Sequence, residues 1–379
     1  MKRWLLLVLL TLSLFALVPS ISMAQTYTES VLYSFPFSDA GVGQYNVVID
    51  SAGNLYGAEA NGGPNYDCDF GESPCGQIFK ISKDGVFSTA YAFTKHSKGA
   101  GPLYLVIDNA GNLYGTTYEL AGDSGEPETV FKYATKTKKF TTLASFNDGP
   151  QPVLSINPAG NLFGTTFYGG GSGGDNSTIF EITAKGVEST LYSFNNGGPL
   201  DGYYAESVLG SDRGDLYGVV ITPNGAPGYL YEVTSSGVES ILNDNLPNNP
   251  GYISRDSAGN FYGGSGTGLW EVLGSNHSLV EYTFSGLSGI SGPLTLSNGI
   301  IYGVAAGGGT NGGGAVFEFD ESTGIETTLY NFCSLSNCTD GNSPQGNVAI
   351  DSKGNLYGVT SAGGRGNLSS GVVFKLTKN

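Results

Sequence analysis

The chain has 379 residues, with 17 Lys and Arg against 33 Asp and Glu, a formal net charge of −16. That balance excludes nucleic acid and anionic membrane surfaces as expected partners, and a content of 39% hydrophobic and 13% charged residues excludes an acidic disordered chain. Glycine is the outlier, at 60 residues more than twice the roughly 7% of an average protein.

The first 24 residues read as a secretory signal peptide. Lys2 and Arg3 precede an apolar run from Trp4 to Val18, and Ser22-Met23-Ala24 forms a small-x-small cleavage site. The run has 15 residues, short of the roughly 20 that span a membrane. Cleavage near Ala24 removes Lys2 and Arg3 and leaves 15 basic against 33 acidic residues, a net of −18. The expected product is one secreted or periplasmic domain over residues 25–379, monomeric, with no membrane insertion of the mature chain.

The glycines punctuate a repeat. GNLYG at 53 returns at 111, at 160 as GNLFG, at 214 as GDLYG, at 259 as GNFYG, at 299 as a weaker GIIYG and at 354. From Tyr56 to Tyr357 the mean spacing is about 50 residues, a period of propellers and far longer than a β-helix rung. In the first unit VVID, the turn SAGN, LYG, then QIFKI, a DG turn and STAYAF give four short strands with period-2 alternation. The third strand returns as TVFKY, TIFEI, YLYEV, LWEV, AVFEF and VVFKL, and the fourth as TTLASF, STLYSF, ESIL, LVEYTF and TTLYNF. The last unit, from residue 348, ends after its third strand, and ESVLYSF at 29–35 supplies the missing fourth. The fold expected is therefore all-β, a seven-bladed β-propeller of four-stranded antiparallel blades closed by the N-terminal strand, which leaves no exposed sheet edge at the join. Leu55 and Tyr56 should point to opposite faces of a blade, so the motif reads as scaffold. Phe163 stands where the other units have Tyr, so the hydroxyl is dispensable there.

A signal peptide followed by GNLYGTT (111–117), GNLFGTT (160–166), VFK or IFE and TLYSF, with FCSLSNCTDG at 332–341, resembles the GloVer tandem-repeat proteins, the "choice-of-anchor" group of secreted bacterial proteins. The resemblance covers nearly the whole mature chain and implies a secreted propeller. Two features depart from it: the sixth unit drifts from the motif, and no C-terminal sorting segment follows Lys375-Leu376-Thr377, which favours a released or periplasmic protein.

Turns between first and second strands are short throughout, so every long loop opens on the opposite face, where the innermost strands begin. That face is expected to engage a glycan or a protein at the cell exterior. Its aromatic and acidic candidates are Tyr66, Asp67, Asp69, Phe70 and Glu72 in the first unit, Tyr118, Glu119, Asp123, Glu126 and Glu128 in the second, Phe167 and Tyr168 in the third, and Tyr203, Tyr204 and Glu206 before the fourth. The alternative is that half of these rings pack inward and the acids are solvated. Cys68 with Cys75 and Cys333 with Cys338 are expected to pair locally as disulfides that staple loops outside the core.

The case for an enzyme is thin. His96, in the link after the first unit, can reach the channel mouth, whereas His277 sits in a short turn on the other face. A general base needs an orienting partner, and the sequence names none for either. Arg255 stands where other innermost strands carry Ile49, Ile107, Ile156 and Ile350; it reads as channel-lining charge and is counted with His96 among the long-loop-face candidates, with a structural salt bridge or a slipped alignment as the alternative. No cofactor is expected: Asp67 and Asp69 begin a Ca²⁺ pattern that breaks off at Gly71. Propellers resembling streptogramin lyases or sugar-acid lactonases gather a metal and acid-base groups at the channel, and no innermost strand here carries a histidine. A carboxylate-only polysaccharide- or lactone-active enzyme is the alternative function.

Overall fold

The computed structural model describes residues 26–36, 46–65, 68, 74–94, 99–118, 128–146, 149, 151, 153–166, 177–194, 204–211, 214–222, 226–290, 292–365 and 371–379. Seven four-stranded antiparallel sheets succeed one another and close into a ring, making a seven-bladed β-propeller. Blade one runs outward from the channel as Val47–Ile49, Leu55–Glu59, Gln77–Ile81 and Phe87–Ala92. Blade seven takes Asn342–Ile350, Leu356–Ala362 and Val372–Lys378 from the end of the chain and its outermost strand, Tyr27–Ser34, from the start. Those two segments pair from Tyr27 opposite Lys378 to Ser34 opposite Val372. The Asn379 N–H donates to the Thr26 carbonyl at 3.0 Å. Blade seven's innermost strand begins at Asn342, six residues before the 348 expected, because NSPQGN, turn-like in composition, continues the ladder across a bulge between Gln345 and Ala349.

The repeated turn is built around its aspartate. Asp50 Oδ1 accepts the N–H groups of Ala52 and Asn54, each at 2.9 Å, and Oδ2 accepts the Asn54 amide at 2.8 Å. Gly53 takes φ +83°, a conformation costly for residues with a Cβ. In blades two and seven the motif tyrosine adds a bond: Tyr114 and Tyr357 donate to Asp108 and Asp351 Oδ2 at 3.0 Å. Burial pushes the Asp108 carboxyl up, but hydrogen bonds from Asn112, Tyr114 and Ala110 outweigh it and hold it below the ordinary value. In blade three Asn157 replaces the aspartate and Phe163 the tyrosine, so the phenol and the second carboxylate oxygen are absent together, while Asn157 Oδ1 still accepts the Asn161 N–H at 3.0 Å.

The strand alternation then builds the seams. Leu55 packs toward blade seven with Val359 and Val373, while Tyr56 packs toward blade two with Leu113 and Phe131. Among the described residues the core falls into seven clusters, each between consecutive blades, the last joining blade seven to blade one. The second glycine of every motif copy faces an aromatic residue on the third strand: Gly57 with Phe79, Gly115 with Phe131, Gly164 with Phe180, Gly218 with Tyr231, Gly263 with Trp270, Gly303 with Phe317 and Gly358 with Phe374. A Cβ on Gly115 would lie 2.7 Å from the Phe131 ring. The glycine is therefore a socket for a seam aromatic, whose burial contributes roughly 1.5–3 kcal/mol per ring.

Candidate functional site

Strand direction places all turns between first and second strands at one mouth of the channel, here the short-turn face. The links between blades and between second and third strands open at the other, the long-loop face. On that side the innermost strands carry a column of polar side chains one step above the apolar residues that pack on the socket glycines. Asn46 holds blade two: its amide donates to the Leu105 carbonyl at 2.8 Å and its Oδ1 accepts the Leu105 N–H at 2.9 Å. Ser207 Oγ accepts the Ile253 N–H at 3.2 Å, tying blade four to blade five. Tyr104 reaches from blade two to blade seven, where its hydroxyl donates to Asn347 Oδ1 at 2.7 Å. Burial, with Tyr252 close by, pushes the Tyr104 phenol well above its ordinary value, so it is a neutral donor throughout the physiological range.

Above this column lies a cavity of about 190 Å³, bounded by Tyr104, Tyr252, Gly292, Pro293, Pro344 and Gln345 among others. It combines two phenol rings and an amide with glycine backbone that lets ligand and main chain approach closely. A second, more open depression on the short-turn face lies between the turns of blades two and three. Its carboxylate, Asp108, is already committed to its own turn.

Glu206 is the notable acid near the column. It is the extra residue of a bulge in Tyr204–Gly210, the innermost strand of blade four, between Ala205 and Ser207. Its Oε2 is buried without a hydrogen-bond partner, and burial pushes its carboxyl up to about 7. Among the described residues no group of three or more His, Cys, Asp and Glu gathers as a metal centre would require.

Of the residues singled out by sequence, Tyr66, Asp67, Asp69, Phe70, Glu72, His96, Glu119, Asp123, Glu126, Phe167, Tyr168 and Tyr203 lie outside the described residues. Glu128 opens the third strand of blade two. Tyr204 is half-buried at the channel side of blade four. Tyr118 is also half-buried and packs against the seam of blades one and two, the inward alternative. Arg255 is not on the long-loop face. It ends the innermost strand of blade five at the short-turn side, exposed, with its guanidinium 4.4 Å from the Tyr217 ring centroid and 4.9 Å from that of Phe261. What the described residues give it is cation–π stacking on two neighbouring rings. His277 lies in the expected turn, with φ +56° and its carbonyl accepting the Asn243 amide.

Both expected disulfides are formed, Cys68–Cys75 and Cys333–Cys338. The first does not staple a loop outside the core. Cys68 and Cys75 are 1% and 0% exposed and belong to the cluster between blades one and two. The second spans an exposed loop carrying Leu335, and Asp340 anchors that loop by accepting from the Ser334 N–H and the Tyr330 hydroxyl.

Tyr104 and Tyr252 were not legible as site residues from their own neighbourhoods. The available signal was the column itself: counted back from the isoleucine position, Asn46, Tyr104, Ser207, Tyr252 and Asn347 align as polar side chains within otherwise apolar strands.

Residues 14–229, more than half of the chain, match the model of the Gloeobacter/Verrucomicrobia repeat. The chain belongs to this family. No curated protein matches it in sequence. Among solved structures, this Gloeobacter/Verrucomicrobia repeat protein is similar to an oligogalacturonate lyase from Vibrio parahaemolyticus (TM-score 0.59, 8% identity, 93% of this chain and 97% of that one). It is also similar to the extracellular domain of a protein described as a one-component system from B. thetaiotaomicron (0.57, 15%, 93% and 42%) and to a puromycin-hydrolyzing peptidase from Mycobacterium tuberculosis (0.54, 14%, 81% and 48%). The repeat protein thus spans less than half the length of the last two. At these identities the likeness is one of fold.

Proposed function

We propose that the protein is a secreted or periplasmic binding propeller that takes the end of a glycan chain into the channel mouth on its long-loop face. The observation that carries this reading is the Tyr104–Tyr252 cavity. At about 190 Å³ it is smaller than the roughly 300 Å³ at which pockets for drug-sized ligands begin, which suits one sugar ring or its substituent. A protein partner would ask for a broad surface of roughly 800 Å² instead. Phenol rings beside an amide match the apolar faces and hydroxyl edges of a sugar. Two disulfides suit an oxidising compartment, and no helix among the described residues is long and apolar enough to cross a membrane. The test is a glycan array followed by calorimetry on its hits. Tyr252→Ala is expected to weaken binding about tenfold, the loss of roughly 1.4 kcal/mol of ring contact. Unchanged affinity in both Tyr252→Ala and Gln345→Ala would remove the cavity from consideration.

One observation favours a second reading, acid–base cleavage of a polysaccharide or lactone. Glu206, with its carboxyl at about 7, is poised to hold a proton at neutral pH, as a general acid must. Release of reducing ends or opening of a lactone by the parent and not by Glu206→Gln is the result this reading requires.

A further inference from the structure

On the short-turn face, the third strand of each blade carries one charged residue opposite the motif ring. In blades seven, one and two, which are consecutive around the ring, it is a lysine: Lys375, Lys80 and Lys132 pair with Tyr357, Tyr56 and Tyr114. Each ammonium lies over its tyrosine, 5.7, 5.6 and 5.2 Å from the ring centroid. Blades three to six carry Glu181, Glu232, Glu271 and Glu318 at the same position. The three lysine blades add exposed cations on their turns and strand ends, Lys83, Lys136, Lys138, Lys139, Lys353 and Lys378. Nine of the 15 basic residues beyond residue 24 therefore occupy one arc of one face. Its acids offset them only in part: Asp50, Asp108 and Asp351, tied inside their own turns by asparagine amides and backbone N–H groups, and the exposed Asp84 set four negative charges against the nine, a formal surplus of five.

We propose that this arc is a docking surface for a polyanionic polysaccharide, one bearing carboxylate, sulfate or phosphate groups at regular intervals. The charge is local. A screening length of about 10 Å at moderate salt separates the arc from the acidic remainder of the molecule, so the net charge does not decide what it attracts. The inner lysines are held against rings rather than free to wander, and the same cation recurs in three successive sheets. A partner with repeating anions can meet such an array at several points at once, whereas a single anion meets one. This surface is separate from the channel mouth, and its test does not touch the cavity residues.

The test uses the full mature chain with two polysaccharide probes, polygalacturonate and dextran sulfate, at 50 and 200 mM salt. The expected result is binding to at least one probe that weakens with salt, that falls about tenfold in the exposed triple variant Lys83→Glu/Lys136→Glu/Lys139→Glu, and that tightens in Glu188→Lys, which extends the arc into blade three. Arg365→Glu, exposed on the long-loop face of blade seven, should leave binding within about twofold. Circular dichroism of each variant separates misfolding from lost charge, and the gain in Glu188→Lys cannot arise from misfolding. No binding to any probe at 50 mM salt, or equal binding by parent and triple variant, overturns the proposal. So does binding confined to phosphatidylglycerol vesicles, or a triple variant whose sole effect is to dissolve a dimer. Retained polyanion binding in Tyr252→Ala would separate this surface from the glycan site proposed above.

Discussion

Trp270 lies across Gly263, its partner on the adjacent strand, and leaves no room there for a methyl group. The indole N–H donates to the Pro250 carbonyl at 2.7 Å, so the ring cannot slide away without losing a buried bond. Gly263→Ala should therefore cost about 1–3 kcal/mol through overpacking. The two positions should also be coupled, with the cost of Gly263→Ala falling toward zero once Trp270 is replaced by Val. Trp270 is the one tryptophan beyond residue 24, so its fluorescence in urea reads the parent and Gly263→Ala; circular dichroism reads the Val variants. Additive costs would show that the socket is not what selects glycine.

Closure of the ring depends on Tyr27–Ser34. Removing residues 26–36 bares the Val372–Lys378 edge and uncovers Phe35's place in the seam between blades seven and one. The shortened protein should unfold less cooperatively, and a synthetic peptide of residues 26–36 should restore the parent's midpoint at saturating concentration. A shortened chain that melts like its parent would contradict the closure.

Glu206 sets a pH dependence. Burial lifts its carboxyl from 4.5 to about 7, so between those values the folded protein holds a proton that the unfolded chain has released. Stability should fall across that window as pH rises, and stay level above it. Glu206→Gln should be more stable than the parent by about 2–3 kcal/mol at pH 8 and no more stable at pH 4. Glu29, whose carboxyl burial and Asp340 also lift to about 7, contributes a fall of the same sign in both proteins and cancels in the comparison. Urea melts at the two pH values decide it.

The disulfides should differ in accessibility. Cys333–Cys338 closes an exposed loop and should be reduced first by a mild thiol, while Cys68–Cys75 should resist until its seam opens. Differential alkylation and mass spectrometry would report the order. Replacing Cys68 and Cys75 by Ala should cost about 2 kcal/mol from loop closure, plus whatever packing the sulfurs supply.

The blades, their order and the circular closure were legible in the sequence because each rests on a local pattern written seven times. Tyr56 and Gly57 alternate faces wherever they stand, and the missing fourth strand of the last unit matches ESVLYSF at 29–35. What was not legible depends on distances between blades. That Cys75 enters a seam, that Arg255 rests on Tyr217 one blade away, and that Tyr104 crosses to Asn347 are facts of ring geometry, and a sequence records only what lies along the chain. The lysine arc shows both conditions at once: its members are visible in the third-strand column, but their adjacency depends on blade seven lying beside blade one.

Because Tyr27 and Lys378 are opposite one another at the same end of blade seven, a force applied between the two chain ends would act on one hydrogen-bonded pair after another, as in opening a zip fastener. Such loading never engages the whole ladder together. The protein would be mechanically weak along that axis even where heat or denaturant finds it robust, and a copy tethered by its two ends would release its outermost strand at low tension.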